Sequence, residues 1–166
     1  MTAATRGGGA VVTLPNDTQI LVTREFAAPK HLVYKAWTTP ELVKRWWNAK
    51  RGEVTIAEID LRAGGKWRYV MIADRGFEVA FHGEFREIVP NERIVSTEIY
   101  EGVPPGVPNE GTVNTATFRQ SGERTVLTIL IQAPSQQVRD LILQSGMEAG
   151  LQDALELLEQ VAESLG

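Results

Sequence analysis

The sequence predicts an α+β fold in which a curved antiparallel sheet is closed by one long C-terminal helix. Three observations carry this. Strand-like runs follow one another through the middle of the chain with only short, turn-rich separators; an early strand and two short helical patterns precede them; and a long amphipathic stretch ends the chain. A helix with one apolar stripe must bury it against another element. A sheet that is helix-poor in the middle therefore receives the C-terminal helix across its concave face, and the space between them is a natural pocket.

Composition narrows the function classes. At 166 residues, 43% hydrophobic and 23% charged, the chain supports one real core and one domain. A net charge of -4 and a pI near 5.3 exclude a nucleic-acid surface, which needs clustered cations. Lys44-Arg45 and Lys50-Arg51 read as solvated faces. With no cysteine there are no disulfides, thiolate zinc sites or cysteine nucleophiles. Met1 to Ala10 has no apolar signal region. No run approaches the roughly 20 apolar residues of a membrane span. A cytoplasmic location is the expectation by elimination, which also discounts the glycosylation pattern Asn16-Asp17-Thr18.

Residues 1–17 read as a mobile tail, because Gly7-Gly8-Gly9 and Pro15-Asn16-Asp17 surround little apolar surface. The single domain is expected over 18–166. In the first strand, Gln19 to Ala27, the set Ile20, Val22, Arg24 and Phe26 alternates with Leu21, Thr23 and Glu25 at a period of two. Pro29 stops it and opens a helix carrying Val33, Ala36 and Trp37. Thr39-Pro40-Glu41 starts a second helix as N-cap, first-turn proline and dipole-favoured acid. Trp46 and Trp47 close it. Their side chains diverge by about 100°, so one is expected to pack inward while the other lines a rim or an interface, a homodimer contact included.

Strands are expected over 53–61, 66–73, 78–89, 93–100, 112–120 and 124–133. Ala63-Gly64-Gly65, Asp74-Arg75-Gly76, Pro90-Asn91-Glu92 and Ser121-Gly122-Glu123 separate them as hairpin turns, so consecutive strands pair antiparallel. Glu101 to Gly111, with Pro104, Pro105 and Pro108, is a surface loop. Ser135 to Gln144 is a short helix. Gly146 and Gly150 would weaken a continuous helix, and Ser145 with Glu148 forms a capping box that restarts one. Met147, Leu151, Ala154, Leu155, Leu158, Val161 and Leu165 then make one apolar stripe of about 20 residues, roughly 30 Å long. On this pattern Leu155→Asp should abolish or severely weaken folding, while Gln152→Ala and Glu159→Ala, assigned to the solvent side or edge, should stay within about 1 kcal/mol of wild type.

Phe26-Ala27-Ala28-Pro29, Ala36-Trp37-Thr38-Thr39-Pro40-Glu41-Leu42, Trp46-Trp47, Gly64-Gly65-Lys66-Trp67, Phe81 through Pro90, Arg93-Ile94-Val95 and Ser145-Gly146-Met147-Glu148 together resemble the family named for homology to the activator of the Hsp90 ATPase. The resemblance covers about residues 20–165. It implies the START-like or SRPBCC superfamily and its helix-grip fold. Members bind lipids, sterols, hormones or polyketides, and some are cyclases or aromatases. In the co-chaperone role the resemblance implies a separate N-terminal docking domain, whereas a single domain is expected here. Gly150-Leu151 departs from the Gly-Trp of many members, a change expected to reshape the pocket end near the helix start.

The search for chemistry yields binding residues more readily than catalytic ones. His82-Gly83-Glu84 matches the start of a zinc deaminase signature whose cysteines are missing. There is no G-x-S-x-G elbow, phosphate-cradling loop or H-E-x-x-H. Two histidines far apart and no cysteine predict no metal, and no cofactor is implied. His31 is expected to face solvent. Trp67, Tyr69 and Met71 share one strand face, as do Phe81, Gly83 and Phe85, and as do Glu98 and Tyr100. With Trp47, Met147 and Leu151 these form the candidate ligand-binding set: Trp47, Trp67, Tyr69, Met71, Phe81, Phe85, Glu98, Tyr100, Met147 and Leu151. Ordinary core packing is the competing explanation for the aromatics. The sequence leaves open which face Glu98, Tyr100 and His82 occupy. The expected function is non-enzymatic binding of a small apolar or amphipathic molecule, in a cavity bordered by Trp67, Tyr69, Phe81, Phe85, Met147 and Leu151 and of the usual size, about 300–1,000 Å³. The alternatives are a protein-interaction module for an Hsp90-like chaperone and a cyclase-like enzyme using Glu98, Tyr100 or His82.

Overall fold

Alternation decides which side of each strand meets the core. In β2 (Gln19–Phe26), Ile20, Val22, Arg24 and Phe26 are buried and the residues between them are not. The computed structural model describes residues 9–104, 106 and 109–166. Its other strands are β1 (Val11–Thr13), β3 (Gly52–Ile59), β4 (Lys66–Ala73), β5 (Glu78–Val89), β6 (Arg93–Tyr100), β7 (Thr112–Ser121) and β8 (Arg124–Gln132). They form one sheet in the order β1-β2-β8-β7-β6-β5-β4-β3, with every pair antiparallel. From β3 to β8 each strand neighbours the next, as hairpin connections require. The exception is the step from β2 to β3, which runs to the far edge through α1 (Lys30–Thr38) and α2 (Pro40–Trp46). Extra residues in β3, between Val54 and Ile56, and in β5, between Phe85 and Glu87, bend the sheet.

The long helix α4 (Met147–Ser164) follows the shorter α3 (Gln136–Gln144). Its C-terminal half is core. Leu155, Leu158 and Ala162 have no exposed surface and pack in one cluster with Val33, Ala36 and Val43 of α1 and α2 and with Ile20, Phe118 and Leu127 of the sheet. This is the α+β helix-grip arrangement expected from the order of elements. No helix among the described residues is long and apolar enough to cross a membrane.

Several local expectations are corrected. Ahead of Thr18, β1 pairs with β2, and Gln152 holds the preceding backbone: its Oε1 accepts from Ala10 N at 2.8 Å and its Nε2 donates to Ala10 O at 2.7 Å. The expected tail therefore does not extend through these residues. Residues 1–8 of that tail, and Pro105, Val107 and Pro108 of the expected loop 101–111, lie outside the described residues. Thr39 is the N-cap of α2, but its hydroxyl donates back to Lys35 O at 2.6 Å. The capping box at Ser145 does not form, because Ser145 Oγ donates to Ile142 O and closes α3, while Gly146, at a φ of 84° that favours glycine, begins α4.

The largest correction is Glu159. It is fully buried, not on the solvent side. Its Oε1 lies 3.4 Å from Arg24 Nη2, itself buried, and its Oε2 accepts from Ala27 N at 2.8 Å. The carboxylate ties α4 to β2 at the point where that strand ends.

Candidate functional site

The N-terminal half of α4 stands off the sheet. Between the two lies a cavity of about 1180 Å³. Met147, Gly150, Leu151 and Ala154 of α4 form one wall and inward residues of β4 to β8 the other, while the α2–β3 turn, the β4–β5 turn and α3 frame the mouth.

The β4–β5 wall is a chain of rings. Trp67 packs on Tyr69 with centroids 4.8 Å apart, Tyr69 meets Trp47 edge-on at 5.3 Å, Trp47 meets Phe81 at 5.8 Å, and Phe81 meets Tyr100 at 5.1 Å. Such tilted and edge-on contacts suit the ring quadrupoles. Trp67 can lie where it does because Gly83 opposes it across β4 and β5. A β-carbon at Gly83 would sit 1.8 Å from Thr97 O and 2.6 Å from Trp67 Nε1, the same pair that hydrogen-bond each other at 3.1 Å. The two adjacent tryptophans divide as their divergence demands. Trp46 is buried, donates to Ala36 O at 2.9 Å and stacks on Trp37 at 5.1 Å, reaching the cavity from the core, while the half-buried Trp47 joins the chain of rings on its wall.

The β6–β7 part of the wall is polar. Ser96 and Glu98 of β6 and Thr112 and Asn114 of β7 all line the cavity, and register sets Ser96 against Asn114 and Glu98 against Thr112. Thr112 Oγ1 donates to Asn114 Oδ1 at 2.9 Å. Glu98 is half-buried, on the wall of the cavity. Desolvation accordingly pushes its carboxyl above the usual range, and a hydrogen bond from Asn114 works the other way. The Tyr69 phenol is raised as well, first by burial and then by the nearby Glu98 carboxylate.

All ten candidate residues (Trp47, Trp67, Tyr69, Met71, Phe81, Phe85, Glu98, Tyr100, Met147 and Leu151) line this one cavity. Its volume is somewhat above the expected range. His82 is on the opposite face. There its Nδ1 lies 2.9 Å from Glu101 Oε2, and Arg68 grips the same carboxylate through Nε and Nη2, both at 2.9 Å. The Arg68 hydrogen bonds first, then His82, hold Glu101 down to about 2. Sequence reasoning missed Asn114 and Thr112, although both fall in phase with the buried Ala116 and Phe118 of their strand. It also missed the exposed apolar residues at the mouth, Phe77 and Leu141. No group of three or more His, Cys, Asp or Glu suited to a metal occurs among the described residues.

The family model described as Activator of Hsp90 ATPase homolog 1-like protein matches residues 27–163. No curated protein matches the chain. Among solved structures, a protein from Rhodobacter sphaeroides superposes with a TM-score of 0.84 at 21% identity, covering 95% of this chain and 99% of its own. A protein from Mycobacterium smegmatis gives 0.83 at 20%, covering 96% and 100%. A third, from Nitrosomonas europaea, gives 0.78 at 23%, covering 91% and 97%. At these identities the likeness carries the fold.

Proposed function

The chain belongs to the Activator of Hsp90 ATPase homolog 1-like family, and on that premise we propose that it binds a small, largely apolar molecule between the sheet and the N-terminal half of α4. One observation carries the reading: the same helix that is packed to zero exposure at Leu155 and Leu158 leaves about 1180 Å³ open over Met147 and Leu151. Protein interiors pack as densely as organic crystals, and wall atoms facing a void lose their dispersion partners. A pre-formed apolar cavity with a few convergent polar groups is the usual form of a small-molecule site.

Neutral ten-carbon probes test this. Trp47 and Trp67 are built-in reporters, so 1-decanol and 1-naphthol should change the intrinsic fluorescence saturably at one site. Leu151→Trp fills the cavity end and should weaken both probes at least tenfold without lowering the melting temperature. Absence of saturable binding by the folded wild type would overturn the proposal. A protein-interaction role draws its support from family membership alone. A cyclase-like reaction has Glu98 and Tyr100 on the cavity wall to draw on, whereas His82 lies on the other face.

A further inference from the structure

We propose that the molecule this cavity is built to take is an organic cation, a protonated amine on an apolar frame, with its ammonium seated between Glu98 and the aromatic wall. The inference rests on the ligand-binding reading above and adds the ligand's charge. Charge placement is the first ground. Lys50, Arg51, Asp74, Arg75 and Glu110 border the cavity but are solvent-exposed at its mouth, and Lys50 and Arg51 are engaged with Asp153 and Glu156. Deeper in, the ionisable groups are Glu98 and the phenol of Tyr69, with Tyr100 nearer the opening.

Among the described residues, no base on the elements around Glu98 answers its carboxyl. β4 contributes Tyr69; β5 contributes Phe81 and Phe85; β7 contributes Thr112 and Asn114; α4 contributes Met147 and Leu151. Burial without a cation partner disfavours the charged form of this carboxyl and raises its pKa. An incoming ammonium would supply the missing partner.

The wall is the second ground, independent of Glu98. Five rings in contact, from Trp67 through Tyr69, Trp47 and Phe81 to Tyr100, line one side of the space. Ring faces carry negative potential and attract cations more strongly when desolvated. The same ring faces repel an anion, so a fatty-acid carboxylate is the wrong charge for this site. Proton balance follows. An ammonium favours the charged form of Glu98, so where the carboxyl is protonated in the empty cavity binding releases its proton to solvent, and affinity should rise with pH across the range where Glu98 titrates.

A matched series of decylamine, 1-decanol and decanoate separates the two readings by calorimetry. Decylamine should bind at least tenfold more tightly than decanol, and decanoate most weakly. For the wild type, decylamine affinity should rise with pH through the range where Glu98 titrates. Glu98→Gln should erase the preference for decylamine over decanol, and Phe81→Leu should weaken decylamine more than decanol. If decanol binds and decylamine binds no better, the cation inference is overturned and the binding proposal stands. If no member of the series binds, both fall.

Discussion

Replacing Glu159 by alanine should destabilise this protein by about 3–5 kcal/mol, the range for breaking a buried ion pair from one side. The figure follows from what would be left behind. Arg24, 5% exposed, would keep Glu25 O as an acceptor at 3.0 Å and the Phe26 ring 4.6 Å below its guanidinium, while its Nε already lacks a partner. The Ala27 N–H would lose its acceptor, and an orphaned buried donor alone costs about 1–3 kcal/mol. These losses overlap, so the range is taken for their combination. Against a total stability of about 5–15 kcal/mol the change is severe. Glu156→Ala is the control: its Oε1 is 3.6 Å from Lys50 Nζ on a half-exposed surface, where such a pair contributes about 0–1 kcal/mol. The double change Arg24→Met with Glu159→Leu removes both charges and should recover most of the loss, since apolar replacement of a buried pair is often neutral or stabilising. Urea melts with unchanged slope decide between these values. If Glu159→Ala melts within about 1 kcal/mol of wild type, beside Glu156→Ala, the carboxylate is not the buried tie between α4 and β2 described above.

Gly83→Ala should cost at least about 2 kcal/mol, within the range for overpacking, because the new methyl meets the immobile Thr97 carbonyl. Red-shifted emission from a displaced Trp67 would accompany it, and wild-type stability would show that the close approach is absent. The Glu101 contact predicts an acid dependence. Its carboxyl titrates at about 2 in the fold against an ordinary 4.5, so the contact contributes its full stability above about pH 4.5 and loses it as pH falls toward 2. Glu101→Gln should flatten the stability profile across that window; an unchanged profile would assign the acid dependence to other groups.

Element boundaries were the legible part of the sequence. β4, β5 and β6 begin and end where turn residues interrupt a period-two pattern, and α4 begins where Gly146 breaks the helical one. Facing was harder to read at β6. Its cavity side carries Ser96, Glu98 and Tyr100, while the residues between them on the other side are Thr97 and Ile99. Polarity alone would turn that strand over. The reversal has a physical cause: a strand lining a cavity with polar wall groups need not be apolar on its inner face. Trp67 and Gly83 resolve the ambiguity only through the third dimension, since the glycine is required by an indole on the neighbouring strand.

Glu159 failed for a different reason, and the sequence held what was needed to place it. Four residues after Leu155 and three before Ala162, it lies on the same helical face as both. Arg24 alternates in phase with Ile20, Val22 and Phe26, so it occupies an inward strand position. Read singly, Glu159 falls to the solvent side by the rule that charged residues are solvated, and the phase of Arg24 names no partner for it. Taken together they are opposite charges at two core-facing positions, one on the strand and one on the helix that the fold brings against it. A charge at a core position finds its place when the facing element carries the opposite charge at a core position of its own. By the same rule Glu98, which lines the cavity with no counter-charge among the described residues of the strands and helix around it, supports the reading that a bound cation is its partner.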